Sequence, residues 1–214
     1  MIRCVVFDFD GTLVDSNSIK RQAFLSIASR EGEKLLMEEI LETQPGDRYA
    51  IFSNFAAACI GASQADSRRL AVQLALEYTH YCEEAIAVCP EMAGASEMLD
   101  ELKREGLKLA LNSATPTDAL AAIVSRRGWQ GYFSHVLGSP ASKAENLAHI
   151  IDDLGLKHDE IVMVGDRRAD QNGAAEFGSP FIGVICADSD FDPLPPYSVN
   201  ALAQLSSELR RLHT

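Results

Sequence analysis

Short apolar runs punctuate the chain, and each closes on small or polar residues. The clearest are CVVF (4–7), LKLALNS (107–113), HVLGS (135–139), EIVMVGD (160–166) and FIGVI (181–185). Their length and their β-branched and aliphatic content predict strands buried on both faces. Helical periodicity fills the gaps between the later runs. SEMLDELKREG spaces its apolar residues at helical intervals and stops at Gly106, and TDALAAIVSRRG, SKAENLAHIIDDLG and DQNGAAEFG behave alike. Strand and helix in alternation predict an α/β fold built on a doubly wound parallel sheet. The tail VNALAQLSSELRRL predicts one further amphipathic helix, and the proline-rich PLPPY (193–197) before it reads as a surface connection.

The alternation breaks after the first run. From residue 16 to residue 87 every pattern is helical: SIKRQAFLSIASREG, LLMEEILET, DRYAIFSNFAAACIG and DSRRLAVQLALEYTHYCEEAI. This stretch is far longer than a crossover between strands requires, so it predicts an inserted all-helical domain. The expected organisation is a core made of residues 1–15 and 88–214 and a cap made of residues 16–87. The insert leaves directly after the first strand and returns near CPEMAG (89–94), so it is expected to hang as a lid over that strand's end.

Composition narrows the classes. With 214 residues, 47% apolar and 23% charged, the chain can bury one good core with a smaller domain attached. A net charge of −12 repels phosphate backbones and argues against a nucleic-acid partner. A small phosphorylated substrate remains compatible if the site supplies local positive charge. The five cysteines, Cys4, Cys59, Cys82, Cys89 and Cys186, are odd in number and form no Cys-x-x-Cys pair. They are expected as free thiols in a reducing compartment rather than as disulfides or zinc ligands. No secretory signal and no membrane span is read from the apolar runs. A cytoplasmic protein with no membrane partner, a monomer or weak dimer, is the expectation.

In a doubly wound sheet, ligands bind outside the carboxyl ends of the strands. The first run delivers Asp8 and Asp10 there, the second Asn112 and Ser113, the third Lys143 in GSPASK, and the fourth Asp166 and Asp170 in GDRRAD. Four carboxylates against one ammonium leave an excess of negative charge, and close carboxylates repel each other and lose hydration. Oxygen ligands of this kind suit a hard divalent cation, with Mg2+ and retained waters the best candidate. The same parts suit phosphoryl transfer, in which a carboxylate attacks phosphorus while cation, lysine and hydroxyl bear the charge. Asp8, at the strand end, is placed to attack. Asp10, beyond the strand, is placed to protonate the leaving group and then activate water. Neighbouring charge should push their pKa values apart, so that one is ionised and the other protonated. Gly11 lets backbone N–H groups approach the phosphate. Asn112 or Thr115 could share the role of Ser113.

DFDGTLVDS, a serine after the second strand, a downstream lysine and GDRRAD together resemble the four motifs of the haloacid dehalogenase superfamily. The resemblance covers nearly the whole chain, and the helical insert is similar to the type-1 cap of the branch containing phosphoglycolate phosphatases and β-phosphoglucomutases. It implies a Rossmann-like core, with Asp8 as the nucleophile that forms an aspartyl-phosphate and Asp10 as the acid/base. Ser113 and Lys143 would hold the phosphoryl group, with Gly11, Thr12 and Ala114 completing its surroundings. Mg2+ would be bound by Asp8, the Asp10 carbonyl and Asp166, with Asp170 ligating or acting through water. Many relatives place the lysine directly before a proline, whereas GSPASK puts Pro140 ahead of Lys143. Arg48, in PGDRY before a cap helix, resembles the cap arginine that some relatives extend toward the substrate phosphate.

The expected activity is therefore Mg2+-dependent hydrolysis of a small phosphorylated metabolite. A phosphomutase would use the same residues. A dehalogenase needs neither Asp10 nor Mg2+, so DFD argues against it. A non-catalytic phosphate sensor of the receiver type carries its acceptor on a later strand and lacks a large cap. Asp15 and Ser16 are expected as hinge and cap-entry residues, and Arg167 and Arg168 as pointing outward or pairing locally. None of the five histidines sits at ligand spacing.

Overall fold

The computed structural model of the chain describes residues 1–44, 46–60 and 64–212. The chain divides into two compact units, one made of Met1–Asn17 with Ala87–Thr214 and the other of Ser18–Ile86. No helix among the described residues is long and apolar enough to cross a membrane.

The first unit is built on a six-stranded parallel sheet of order β3-β2-β1-β4-β5-β6. Its strands are β1 (Cys4–Phe7), β2 (Lys108–Pro116), β3 (His135–Ser139), β4 (Ile161–Gly165), β5 (Phe181–Val184) and β6 (Ser198–Val199). All four residues of β1 are fully buried, as a strand covered on both faces requires. In register, Cys4 faces Lys108 and Ile161, and Phe7 faces Leu111 and Val164. The edge strand β3 departs from the expected double burial: most of its residues are only half-buried. β2 runs three residues past its expected end, and its register with β3 shifts between Asn112 and Pro116.

Helices α5 (Ala95–Arg104), α6 (Thr117–Arg126), α7 (Lys143–Leu154), α8 (Arg168–Phe177) and α9 (Leu205–Arg211) flank the sheet. Leu147, Ile150 and Ile151 recur at helical spacing on α7 and join Cys4, Val6, Ala110, Met163 and Ala174 in one core cluster. Each of the larger aliphatic side chains contributes about 1.5–3 kcal/mol when fully buried. Residues of the opposite parity, Val5, Phe7, Leu109 and Leu111, are equally buried.

The C-terminal segment differs from its expected form. Val199 lies in β6 rather than in a helix, and Leu202–Gln204 form a short 3-10 turn before α9 begins. Pro195, expected in a surface connection, is buried. Two-residue strands have no periodicity to read, and a proline-flanked one looks like a loop.

The second unit contains most of α1 (Asn17–Ile27), α2 (Glu31–Thr43), α3 (Arg48–Ile60) and most of α4 (Gln64–Val88). The pattern SIKRQAFLSIASREG is thus split, with α1 ending at Ile27. Phe24, Phe52 and Tyr78 bring α1, α3 and α4 together, with ring centroids 4.2–5.8 Å apart. Aromatic contacts of this kind carry large buried area.

In the first unit, Gly173 on α8 passes so close to α7 that a Cβ there would lie 2.6 Å from the Lys143 Cβ. A helical Gly→Ala change ordinarily gains about 1 kcal/mol. Gly173→Ala is expected to reverse that sign and cost about 1–3 kcal/mol through overpacking. Urea unfolding of the two proteins checks this, and a stabilised variant would show that α7 and α8 do not depend on the contact.

Candidate active site

β1 lies between β2 and β4, so the carboxyl ends of these three strands are neighbours. The order places β1 where the winding of the sheet reverses, the usual ligand position in such folds. The Asp8 amide still donates to the Val164 carbonyl at 2.8 Å, which fixes Asp8 at the last rung of the ladder. The chain then turns sharply, with the Leu13 and Val14 amides both donating to the Phe9 carbonyl. Gly11 takes φ +79° in this turn, and a Cβ on it would fall 2.5 Å from an Asp166 oxygen and 2.6 Å from the Asn17 amide nitrogen. Glycine here is required both by the backbone and by the approach of Asp166.

Lys143 arrives from the opposite direction. The Ser142 hydroxyl accepts from the Glu145 amide and the Glu145 carboxylate accepts from the Ser142 amide, a capping box that starts α7 at Lys143. The Lys143 ammonium donates to Asp8 Oδ1 at 2.8 Å and to the Asn112 carbonyl at 2.7 Å, and pairs with Asp170 Oδ1 at 2.5 Å. All three of its donors are used. Asn112 also donates from its side chain to the Lys143 carbonyl at 2.9 Å and accepts from buried Asn146 at 3.0 Å. The lysine is therefore held at both ends.

The remaining carboxylates close the cluster. Asp170 Oδ2 accepts from the Arg167 amide at 3.0 Å, and Asp166 Oδ1 accepts from the Thr12 hydroxyl at 2.9 Å. One oxygen each from Asp8, Asp166 and Asp170 lie within 4.8 Å of one another, and all three residues are buried. Among the described residues no other such cluster occurs. Three hard oxygen donors in this arrangement, with more negative charge than Lys143 can balance, fit Mg2+.

Asp10 stands apart from that trio. Its carboxylate accepts from Ser16 at 2.7 Å, from Thr115 at 2.9 Å and at 3.4 Å from Ser113. Each of these partners is a hydroxyl, which both donates and accepts. Asp10 can therefore gain or lose a proton without losing these three neighbours.

Burial dominates the ionisation of the trio. It pushes Asp8 up to about 6 despite the neighbouring Lys143, with Asp170 and Asp10 adding repulsion. Burial and then Asp8 raise Asp166 to about 6 against the Thr12 hydrogen bond, and burial also raises Asp170. Burial alone would lower Lys143, but Asp170 and Asp8 outweigh it and hold the ammonium charged. Without a cation, Asp8 is thus harder to ionise than an ordinary aspartate.

The structure brings together Asp8, Asp10, Gly11, Thr12, Ser113, Lys143, Asp166 and Asp170. Ala114 is exposed at the end of β2 between Ser113 and Thr115. Arg48 belongs to the helical unit, where it donates to Thr79 Oγ1 at 2.8 Å and lies 5.2 Å from the Tyr78 ring centre. Pro45 of the PGDRY turn lies outside the described residues.

Ser16, expected only as a cap-entry residue, is buried and bonded to Asp10. Arg167, expected to point outward or pair locally, lies 3.4 Å from Asp166 through Nε, while Arg168 donates to Asp192. Thr115 was legible only as an alternative to Ser113, and Asn146 carried no signal beyond being a polar residue on an apolar helical face.

Comparison with known proteins places this geometry. The sequence profile of haloacid dehalogenase-like hydrolases matches residues 2–178. The chain belongs to that family. A phosphoglycolate phosphatase of Rhodospirillum rubrum is 26% identical to this hydrolase over 211 residues, 95% of this chain and 86% of the relative. An (S)-2-haloacid dehalogenase of Pseudomonas sp. (strain YL) is 28% identical over 215 residues, 94% and 91% of the two chains. Among solved structures, a predicted phosphoglycolate phosphatase from Haemophilus somnus 129PT superposes with a TM-score of 0.75 at 18% identity, covering 96% of this chain and 97% of its own.

The raised carboxyl pKa values set a pH dependence for the metal-free hydrolase. The stabilisation from protonated Asp8 and Asp166 is complete below their ordinary value near 3.8 and is lost as pH rises through about 6. The metal-free Tm is expected to fall by about 5 °C across that interval relative to Asp166→Asn, whose amide cannot ionise. Thermal scans from pH 4.5 to 7.5 in chelator test this; parallel curves for the two proteins would contradict it.

Proposed function

We propose that this hydrolase is a Mg2+-dependent phosphatase that cleaves a small phosphorylated metabolite through an aspartyl-phosphate on Asp8. The observation that carries the reading is Asp10, a second buried carboxylate two residues after Asp8, held by hydroxyls away from the trio. Halide leaves as a weak base and needs no proton, whereas an alkoxide leaving from phosphorus does. A proton carrier beside the nucleophile therefore favours a phosphate ester over a haloacid, although one relative bears the dehalogenase name.

In the proposed reaction an Asp8 oxygen attacks phosphorus, the bond from phosphorus to the ester oxygen breaks, and that oxygen takes a proton from Asp10. Water then attacks the aspartyl-phosphate and gives a proton back to Asp10. The bond from phosphorus to Asp8 breaks, which releases inorganic phosphate and restores the carboxylate. Lys143 lowers the cost of bringing a dianion to Asp8. The Ser113 hydroxyl, only 3.4 Å from Asp10, has the weakest of the three Asp10 contacts and can turn to a phosphoryl oxygen. The Thr12 hydroxyl is committed to Asp166 and the Gly11 amide to the Val14 carbonyl, which leaves the backbone of Thr12 and Ala114 as the further donors. Mg2+, held by Asp8, Asp166, Asp170 and the Asp10 carbonyl, would supply Lewis-acid stabilisation of the phosphoryl oxygens.

The helical unit is read as a cap that encloses a small substrate and excludes bulk water. It carries Arg48, whose use on a substrate phosphate would mean giving up Thr79.

Phosphate release from a panel of phosphorylated metabolites, with and without Mg2+, tests the proposal. Release should require Mg2+, and Asp8→Asn should lower kcat by about 10³-fold or more. Asp10→Asn should slow turnover while Mg2+ still protects the fold. Release that persists in Asp8→Asn, or no release from any ester by the folded, Mg2+-bound protein, would overturn it.

A further inference from the structure

The opposite end of the sheet holds a cavity that the chemistry above does not use. It has a volume of about 580 Å³ and is lined by residues at the starts of β1 and β2, the end of α7 and α9. From Arg3 to Asp8 the chain advances about 17 Å along the strand direction, so this site is separate from the catalytic carboxylates. The volume lies within the ordinary range for small-molecule sites, about 300–1,000 Å³.

Three features define what the cavity could take. Its walls are aliphatic: Ile2, Leu107, Leu154, Leu156 and Leu209 all contribute. Ser206, 5% exposed, also lines it, and its hydroxyl forms no hydrogen bond with the described residues. The hydroxyl is not sealed from solvent, so it can donate to a ligand acceptor in the cavity in place of water. The rim carries Arg3, Lys108 and Arg210 with Glu105, in a protein whose net charge is −12. Arg3 pairs with Glu160 at 3.4 Å and Arg210 with Glu105 at 3.9 Å. The Lys108 ammonium forms no ion pair with the described residues. Walls of this kind bind a hydrocarbon body, the hydroxyl donates to an acceptor head, and the lysine makes that head an anion.

We propose that this cavity is a binding site for a small amphipathic carboxylate, with its hydrocarbon among the leucines and its head toward Ser206 and Lys108. The site is independent of the phosphatase reading, and its ligand is a small molecule distinct from the phosphate ester.

Octanoate is the probe, with 1-octanol and acetate as controls that keep only the body or only the head. Calorimetric titration of the full-length protein should show one saturable octanoate site. Both controls should bind at least about tenfold more weakly, as expected when one half of the recognition is removed. Backbone NMR shifts should map the binding to residues around Leu107, Leu156 and Ser206. Lys108→Glu, an exposed change that does not threaten the fold, should weaken octanoate about tenfold and leave 1-octanol unchanged. Ser206→Ala should weaken octanoate at unchanged Tm. Octanoate that fails to saturate, shifts that map elsewhere, equal binding of octanol and octanoate, or wild-type affinity in Lys108→Glu would each overturn the proposal.

Discussion

The contact between the Lys143 ammonium and the carboxylates of Asp8 and Asp170 is the constraint around which the site is arranged. Three buried acids meet at one point, and a fourth, Asp10, lies beside them. Lys143 and the part-exposed Arg167 are the basic side chains paired with the trio. Burying uncompensated charge costs several kcal/mol per ion, far more than a typical hydrogen bond returns. The fold tolerates the deficit because it is set by backbone ladders and aliphatic packing below the site. Neutralisation is left to protons in the metal-free protein and, in the proposed reading, to a cation in the working one.

Much of the surrounding structure serves the position of that lysine. A capping box starts α7 at Lys143, Asn112 holds its backbone and side chain, and Asn146 orients Asn112. Gly173 then allows α8 to approach closely enough for Asp170 to reach the ammonium. A displacement of the helix by even one methyl group therefore acts on the charge balance as well as on packing. Asp10 is held by a different set of residues, Ser16 from the segment leaving β1 and Thr115 from the extended end of β2. In the proposed reaction, separate supports would let one carboxylate act as a nucleophile and the other exchange protons without the two competing for partners.

The sequence made the ladder of strands, the helical insertion and the acidic cluster legible, because each is written in local patterns. An apolar run of four residues ending in Asp8 has few readings, and GDRRAD after a similar run places Asp166 and Asp170 at a strand end. Polar residues whose role depends on a turn were not legible. Ser16 and Thr115 lie on opposite sides of Asp10 in sequence, and nothing local says that both hydroxyls meet its carboxylate. Asn146 interrupts an apolar helical face for a reason visible only when α7 lies against β2. β6 is two residues long and follows three prolines, so its pairing with β5 rests on tertiary contact alone.

In the proposed reading, a divalent cation replaces protons on the Asp8–Asp166–Asp170 cluster. Calorimetric titration of Mg2+ at pH 6, in two buffers of different ionisation enthalpy, measures this directly. One bound Mg2+ with release of protons to the buffer is the predicted result, and the release should vanish at pH 8, where both carboxyls are already ionised. Binding with no proton release at pH 6, or no binding at either pH, would contradict the account.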